Sequence, residues 1–248
     1  MTGRLRLWSY RWPRALAGAL LPCSCALCGE VAGSVVCTPC QARYAVLAGL
    51  RCPCCANPLA GVEAAGQRCA SCIAEAPCFD ATLAAADYAA PLDALVLRLK
   101  FGAQLPLAPW FARRLVDAVL AAPGWPLPEL LCPVPLGPRR LVERGFNQAL
   151  EIARPLSAAL GVRLQPRLLV RAIDTAAQSG VAPSERAGNI RGAFEVAAEA
   201  LDLVAGRHIG VVDDVMTSGH TLNEVAATLK RAGAARVSNL VFARTPPH

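Results

Sequence analysis

Two aspartates stand side by side at positions 213 and 214, and a run of small polar residues, Thr217-Ser218-Gly219-His220-Thr221, follows two residues later. Vicinal carboxylates accept hydrogen bonds from two adjacent hydroxyls, such as those of a ribose, or hold a hydrated Mg²⁺. A small-residue loop leading into a helix presents backbone N–H groups and the positive end of the helix dipole, which together hold a phosphate. The elements that would carry this arrangement are legible on both sides of it. Ile209, Val211 and Val212 form a β-branched run suited to a buried parallel strand. Leu222, Val225, Ala226 and Leu229 recur at helical spacing and predict a helix from Leu222 to about Ala232, with Gly233 placed to close it.

A second group of residues could face the same ligand. Leu130 to Leu136 reads as another buried strand, and it breaks into a polar stretch containing Arg139, Arg140, Arg144, Asn147 and Gln148. We read Gly137–Gln148 as a loop beyond a strand end, where ligands bind in open α/β sheets. Arg139 and Arg140 are shaped to clamp a pyrophosphate at two points. The helix that follows runs to Leu160, with Pro155 expected to bend or interrupt it. Upstream, Leu92, Leu95, Val96 and Leu99 predict a helix over Pro91–Phe101. Lys100 at its end either satisfies the last carbonyls or reaches a phosphate. A further helix spans 109–122, and Phe79–Tyr88 alternates weakly, as one or two short strands. Leu168–Val170 and Phe194–Val196 read as strands. Residues 171–194 between them lack periodicity and repeat polar amides and arginines, which suits an active-site lid or a short exposed helix from Ser184.

Eleven of the twelve cysteines lie between residues 23 and 78. Eight fall into four Cys-x-x-Cys pairs: Cys25/Cys28, Cys37/Cys40, Cys52/Cys55 and Cys69/Cys72. Each pair is a knuckle whose thiolates can point at one ion, and two knuckles complete a tetrahedral sulfur site that suits Zn²⁺. Two structural zinc sites follow, one from Cys25, Cys28, Cys37 and Cys40 and one from Cys52, Cys55, Cys69 and Cys72. Cys54 lies inside a knuckle and competes with Cys55 as a ligand. Disulfides would need an oxidising compartment. An iron–sulfur cluster would use the same four thiolates. The segment has few large apolar residues, so metal binding would supply its folding free energy. Such ribbons contact nucleic acid or cap a neighbouring domain.

Composition sets outer limits. With 54% hydrophobic residues in 248, the chain is globular rather than disordered. Its net charge of +7 fits an anionic substrate or nucleic acid, and its basic residues are arginine apart from Lys100 and Lys230. No apolar run reaches membrane-spanning length. Arg4, Arg6, Arg11 and Arg14 precede a short apolar run, which predicts a basic amphipathic N-terminal helix over residues 1–22, packed on the next domain or touching a membrane surface.

The stretch Val212-Asp213-Asp214 through Thr221 resembles the phosphoribosyl pyrophosphate (PRPP) signature of type I phosphoribosyltransferases. Cys132-Pro-Val-Pro-Leu136, Pro138-Arg139-Arg140, Glu143-Arg144-Gly145-Phe146-Asn147-Gln148 and Leu99-Lys100-Phe101 are similar to motifs of the ComF/GntX family, as are Gln178, Glu185-Arg186 and Asn189. The resemblance spans about residues 20–245. It implies a zinc ribbon at 23–78 and, over 79–248, a type I phosphoribosyltransferase fold, a mostly parallel twisted sheet flanked by helices. It implies that Asp213 and Asp214 take ribose hydroxyls, and that Thr217, Ser218, Gly219, His220 and Thr221 hold a 5′-phosphate. Arg139, Arg140 and Lys100 would then face the pyrophosphate with Mg²⁺. It further implies a cytoplasmic role in natural competence or DNA use, through pentosyl transfer from PRPP. The alternative is a non-catalytic module that keeps the fold to bind single-stranded DNA or competence proteins. Family members often carry Thr-Thr-Gly-Ala-Thr in the loop; here Ser218 keeps the hydroxyl and His220 adds bulk.

Overall fold

The computed structural model describes residues 23–45, 49–59, 66–172 and 192–246. The expected N-terminal helix and most of the expected lid lie outside the described residues. Two compact units are present, residues 1–46 and 47–248. In the first, β1 (Cys23–Ser24) pairs antiparallel with β2 (Val31–Ala32), and α1 (Thr38–Tyr44) follows.

The second unit opens with the second pair of cysteine knuckles and α2 (Ala70–Ala74). It continues through β3 (Ala81–Asp87), α3 (Leu92–Phe101), α4 (Leu107–Leu120), β4 (Leu130–Pro133), α5 (Pro138–Arg144) and α6 (Gln148–Leu160). Then come β5 (Arg163–Leu164), β6 (Leu169–Arg171), β7 (Phe194–Val196) and a 3-10 turn at Ala198–Leu203. β8 (His208–Met216), α7 (His220–Arg231) and β9 (Arg236–Arg244) complete it.

Five strands form one sheet in the order β3-β9-β8-β4-β5, with every neighbouring pair parallel. A parallel sheet must be covered on both faces, so its strands are apolar throughout rather than alternating. Ala81 to Ala86 are accordingly all buried, and the weak alternation read from the sequence becomes one continuous strand. On one face Ile209 and Val211 join Leu222, Val225 and Leu229 of α7 in a core that extends to Cys52, Cys55 and Cys72. On the other, α4 and α6 pack together against the sheet. Phe111 of α4 stacks on Phe242 of β9 at 3.8 Å between ring centroids. Gly210 sits where a Cβ would come within 2.7 Å of Leu131 and Pro128 side chains, so β8 can lie this close to its neighbours only without a side chain there.

Two readings of the sequence are corrected. The arginine stretch is not a loop: Pro138 to Arg144 form the short helix α5, for which Pro138 in the first turn is well suited and which Gly145 ends at φ 78°. Pro155 does not interrupt α6, which is helical from Gln148 to Leu160. Ile152, Ala153 and Leu156 are fully buried around it, and their packing outweighs the one backbone bond that proline removes.

Candidate functional site

β8 carries the acidic pair to the carboxyl edge of the sheet, paired on both sides by β4 and β9. Asp213 and Asp214 are buried, and Asp214 N–H donates to Asp213 Oδ1 at 2.9 Å. The chain then turns at Thr217-Ser218-Gly219 into α7. Gly219 has φ +87°, and a Cβ there would lie 2.7 Å from Met216 Cε. Glycine is therefore needed both for the left-handed turn and for clearance. Asp213 and residues 215–222 line a cavity of about 150 Å³, so the five loop residues and one carboxylate face a common space. His220 begins α7 with its side chain exposed, and its Nδ1 lies 3.1 Å from Ser218 Oγ. Although exposed, His220 lines the cavity with the rest of the loop.

Lys100 has a partner that its sequence position did not suggest. Its Nζ lies 2.7 Å from Asp214 Oδ2, at the end of α3. The contact is a close charge pair rather than an aligned hydrogen bond, since Asp214 Oδ2 has no hydrogen-bond partner. Burial pushes the Asp213 carboxyl well above the usual range, and the adjoining Asp214 charge pushes it further, against the opposing pull of Lys100. A second cavity, of about 560 Å³, opens beside this pair and is lined by Lys100, Phe101, Arg140, Glu143, Arg144 and Phe146, among others. Burial lowers the Arg144 guanidinium, while the charges of Asp214 and Asp213 raise it. Arg144 also donates to Gln148 Oε1 and lies over the exposed Phe101 ring at 5.4 Å. The structure thus brings Lys100 and Arg140 to one cavity. Arg139 is not among the residues lining it; its Nε pairs with Glu143 Oε1 at 2.9 Å on the exposed side of α5. Arg144 is the residue that the sequence placed in the cluster without assigning it to the ligand. Its signal was the helical spacing from Arg140.

The cysteines gather as two tetrads, Cys25, Cys28, Cys37, Cys40 and Cys52, Cys55, Cys69, Cys72, each with all four Sγ atoms within 4.8 Å. Four sulfurs around one Zn²⁺ at about 2.3 Å stand about 3.8 Å apart. Cys28 and Cys37 Sγ are 3.7 Å apart and Cys55 and Cys69 Sγ 3.5 Å, so the donor sets fit that ion. In each tetrad one thiol is primed. Burial would raise Cys25, but N–H groups of Cys28, Cys37 and Leu27 outweigh it and hold the thiol down to about 6. Cys52 is likewise held to about 7 against burial by the N–H groups of Cys55, Cys69 and Cys54. The neighbouring thiol of Cys37 pushes Cys40 up to about 12, and burial pushes Cys55 up to about 11. Metal entry would therefore expel protons. Cys54 does not compete: its Sγ faces Phe79 O at 3.8 Å.

Two arginines fasten the second tetrad to the sheet. Arg51 binds Asp87 at 2.8 and 2.9 Å and Ala56 O at 3.0 Å. Arg244, 6% exposed at the end of β9, donates to Cys55 O at 3.0 Å and Met216 O at 3.1 Å, and also to Thr217 O. One buried guanidinium thus spans the tetrad and the start of the phosphate loop, a role with no local sequence signal.

Five parallel strands with an acidic pair and a phosphate-type loop at the carboxyl edge define the type I phosphoribosyltransferase fold. Residues 147–247 match the family model of the phosphoribosyl transferase domain. DNA utilization protein YhgH of Salmonella typhi is 37% identical over 181 residues, 71% of this chain and 78% of that protein. Competence protein F of Haemophilus influenzae is 30% identical over 218 residues, 87% of this chain and 93% of that protein. The solved glutamine PRPP amidotransferase of B. subtilis, complexed with ADP and GMP, is 16% identical and covers 54% of this chain and 24% of that chain at a TM-score of 0.33. The chain belongs to the ComF/GntX family.

Proposed function

We propose that this chain binds PRPP with Mg²⁺ and serves competence or the use of imported DNA, in the cytoplasm. The names of its relatives, a DNA utilization protein and a competence protein, support the process. The observation that carries the ligand is that Asp213 lines the loop cavity while Asp214 pairs with Lys100, which lines the cationic cavity. In this reading the acidic pair accepts hydrogen bonds from the ribose hydroxyls. Backbone N–H groups of Thr217, Ser218, Gly219, His220 and Thr221 hold the 5′-phosphate. Lys100, Arg140 and Arg144 face the pyrophosphate, with Arg139 at the rim. Mg²⁺, when bound, neutralises charge on the pyrophosphate oxygens. Transfer of the pentosyl group would break the bond between ribose C1 and pyrophosphate, and the segment between β6 and β7 would exclude water as a lid. Isothermal titration of the full chain with PRPP and Mg²⁺ tests this: saturable binding is expected, lost in an Asp213→Ala/Asp214→Ala variant. Absent binding, or equal binding by the variant, would sink it.

A second reading has its own observation. Phe101 is 75% exposed with Arg144 over its ring and Arg140 in the same cavity, the pairing of aromatic and cation that stacks and steers single-stranded nucleic acid. A DNA-binding module that retains the fold predicts affinity for a single strand that falls steeply with salt. Salt-insensitive binding, or a Phe101→Ala variant binding as tightly as the parent, counts against it.

A further inference from the structure

A third cavity, of about 290 Å³, lies between the second cysteine tetrad and the phosphate loop. Met216, Ser218, Gly219 and His220 line both it and the loop cavity, so the two spaces meet at one stretch of backbone. The remaining wall includes Asn57, Ser71, Glu75, Phe79, Asn223 and Arg244. The wall is mostly neutral and polar, with Glu75 its one acid among the described residues. Arg244 is spent on the carbonyls of Cys55, Met216 and Thr217, and no other arginine or lysine lines the cavity. An additional phosphate has no cationic partner there, and in the reading above the pyrophosphate lies in the separate cavity lined by Lys100, Arg140 and Arg144.

What the wall offers is a matched pair of amides. Asn57 is 8% exposed and its buried Oδ1 has no hydrogen-bond partner, an acceptor that the fold leaves open. Asn223 spends its Oδ1 on Cys78 N–H at 2.7 Å, which leaves the Nδ2 group to donate. One acceptor and one donor in a pocket near 300 Å³, with Phe79 as an apolar wall, suit the edge of a nucleobase.

We propose that this cavity binds a nucleobase whose nucleoside is joined, through the loop-bound phosphate, to the ribose held at Asp213 and Asp214. The proposal rests on the loop holding a ribose 5′-phosphate. It makes the ligand a dinucleoside phosphodiester, either free or as the end of a strand, with the loop gripping the phosphate between the two sugars. Asn57 reads a donor on the base of the upstream nucleoside and Asn223 reads an acceptor.

The test is titration of the full zinc-loaded chain with AMP, with the dinucleoside monophosphate ApA and with PRPP and Mg²⁺. ApA is expected to bind about tenfold more tightly than AMP. Asn223→Asp keeps the acceptor for Cys78 N–H and loses the donor, so it should weaken ApA about fivefold or more while PRPP binding stays within about twofold. Asn57→Ala should act in the same sense. ApA no tighter than AMP, or ApA unaffected by both variants while PRPP still binds, overturns the cavity assignment alone. If AMP, ApA and PRPP all fail to bind, the phosphate-loop reading falls and takes this one with it. Competition by a longer oligonucleotide identifies a strand end as the source, and failure to compete identifies the free dinucleotide.

Discussion

Asp213 is held in a state that folding alone does not favour. Its carboxyl is buried beside Asp214, and both burial and that neighbour disfavour its ionised form. A group whose pKa is raised on folding binds its proton more tightly in the folded chain. The resulting stability is present at low pH and is lost as pH rises through the raised value. Asp213→Asn removes the ionisable group while its Oδ1 still accepts from Asp214 N–H. The variant should therefore be more stable than the parent at pH 8 and equal to it below about pH 4, the range of an unperturbed aspartate. A gain on the order of 1 kcal/mol would raise the thermal midpoint by about 2–4 °C in a chain of this size. The same variant should lose PRPP binding. A variant less stable than the parent at pH 8 would show that the carboxylate supports the fold. Lys100 belongs to the same balance: Lys100→Met removes the opposing charge, so the pH at which PRPP and Mg²⁺ begin to bind should move upward. An unmoved onset in titrations across pH would show that Lys100 does not set the charge of the pair.

Among elements, α7 has to hold the loop at its start, and Asp80 helps to fix its far end, where Lys230 Nζ also donates to Ala235 O at 3.0 Å. Asp80 Oδ2 accepts from Lys230 Nζ at 2.8 Å, near the end of α7, and from Val237 N–H at 2.7 Å, in β9. Burial raises the Asp80 carboxyl, but Lys230 and the Val237 N–H outweigh it and hold it below the usual aspartate value. A lowered acid contributes stability that is present above the unfolded value and lost as pH falls through the folded one. Asp80→Asn should cost about 1 kcal/mol at pH 7, kept small because both side chains are about a third exposed, and the cost should shrink as pH falls below the ordinary aspartate value of about 4. Equal urea midpoints for parent and variant at pH 7 would remove Asp80 from the account. The helix it anchors was legible from Leu222, Val225 and Leu229, because helical spacing is a local signal. β9 was not among the strands expected, although it lies beside β8: buried Ser238 and Asn239 interrupt its apolar run. Their partners lie across the sheet, Ser238 Oγ with His208 Nε2 and Asn239 Nδ2 donating to Thr82 Oγ1, which no single segment of sequence reveals. α5 was hidden for a different reason. All seven of its residues are at least partly exposed, so no apolar stripe marks it.

At the scale of the whole molecule, the two tetrads look alike in sequence and differ in what they are built into. Both were legible from four repeated pairs, since ligand spacing is itself the signal. Their unequal roles were not, because these depend on contacts across nearly two hundred residues, such as Arg244 Nε to Cys55 O. The first tetrad lies in the unit spanning 1–46 and the second in the unit that carries the sheet. Cys52, Cys55 and Cys72 belong to the same core as Val211 and Leu222, and Arg244 ties Cys55 to the residues that open the phosphate loop. Loss of one ligand would leave a closed four-sulfur site incomplete and remove the folding free energy that a bound metal supplies. Cys40→Ser and Cys72→Ser should each reduce the bound zinc from about two ions per chain to about one. PRPP affinity should then separate them, staying within about twofold of the parent in Cys40→Ser and falling at least about tenfold in Cys72→Ser. Arg244→Met should imitate the second loss in PRPP affinity while retaining both zinc ions, because it cuts the link and leaves the donors. Zinc content by metal analysis and affinity by calorimetry read the two effects separately. Equal PRPP affinities in Cys40→Ser and Cys72→Ser would show that the second tetrad, like the first, does not position the loop.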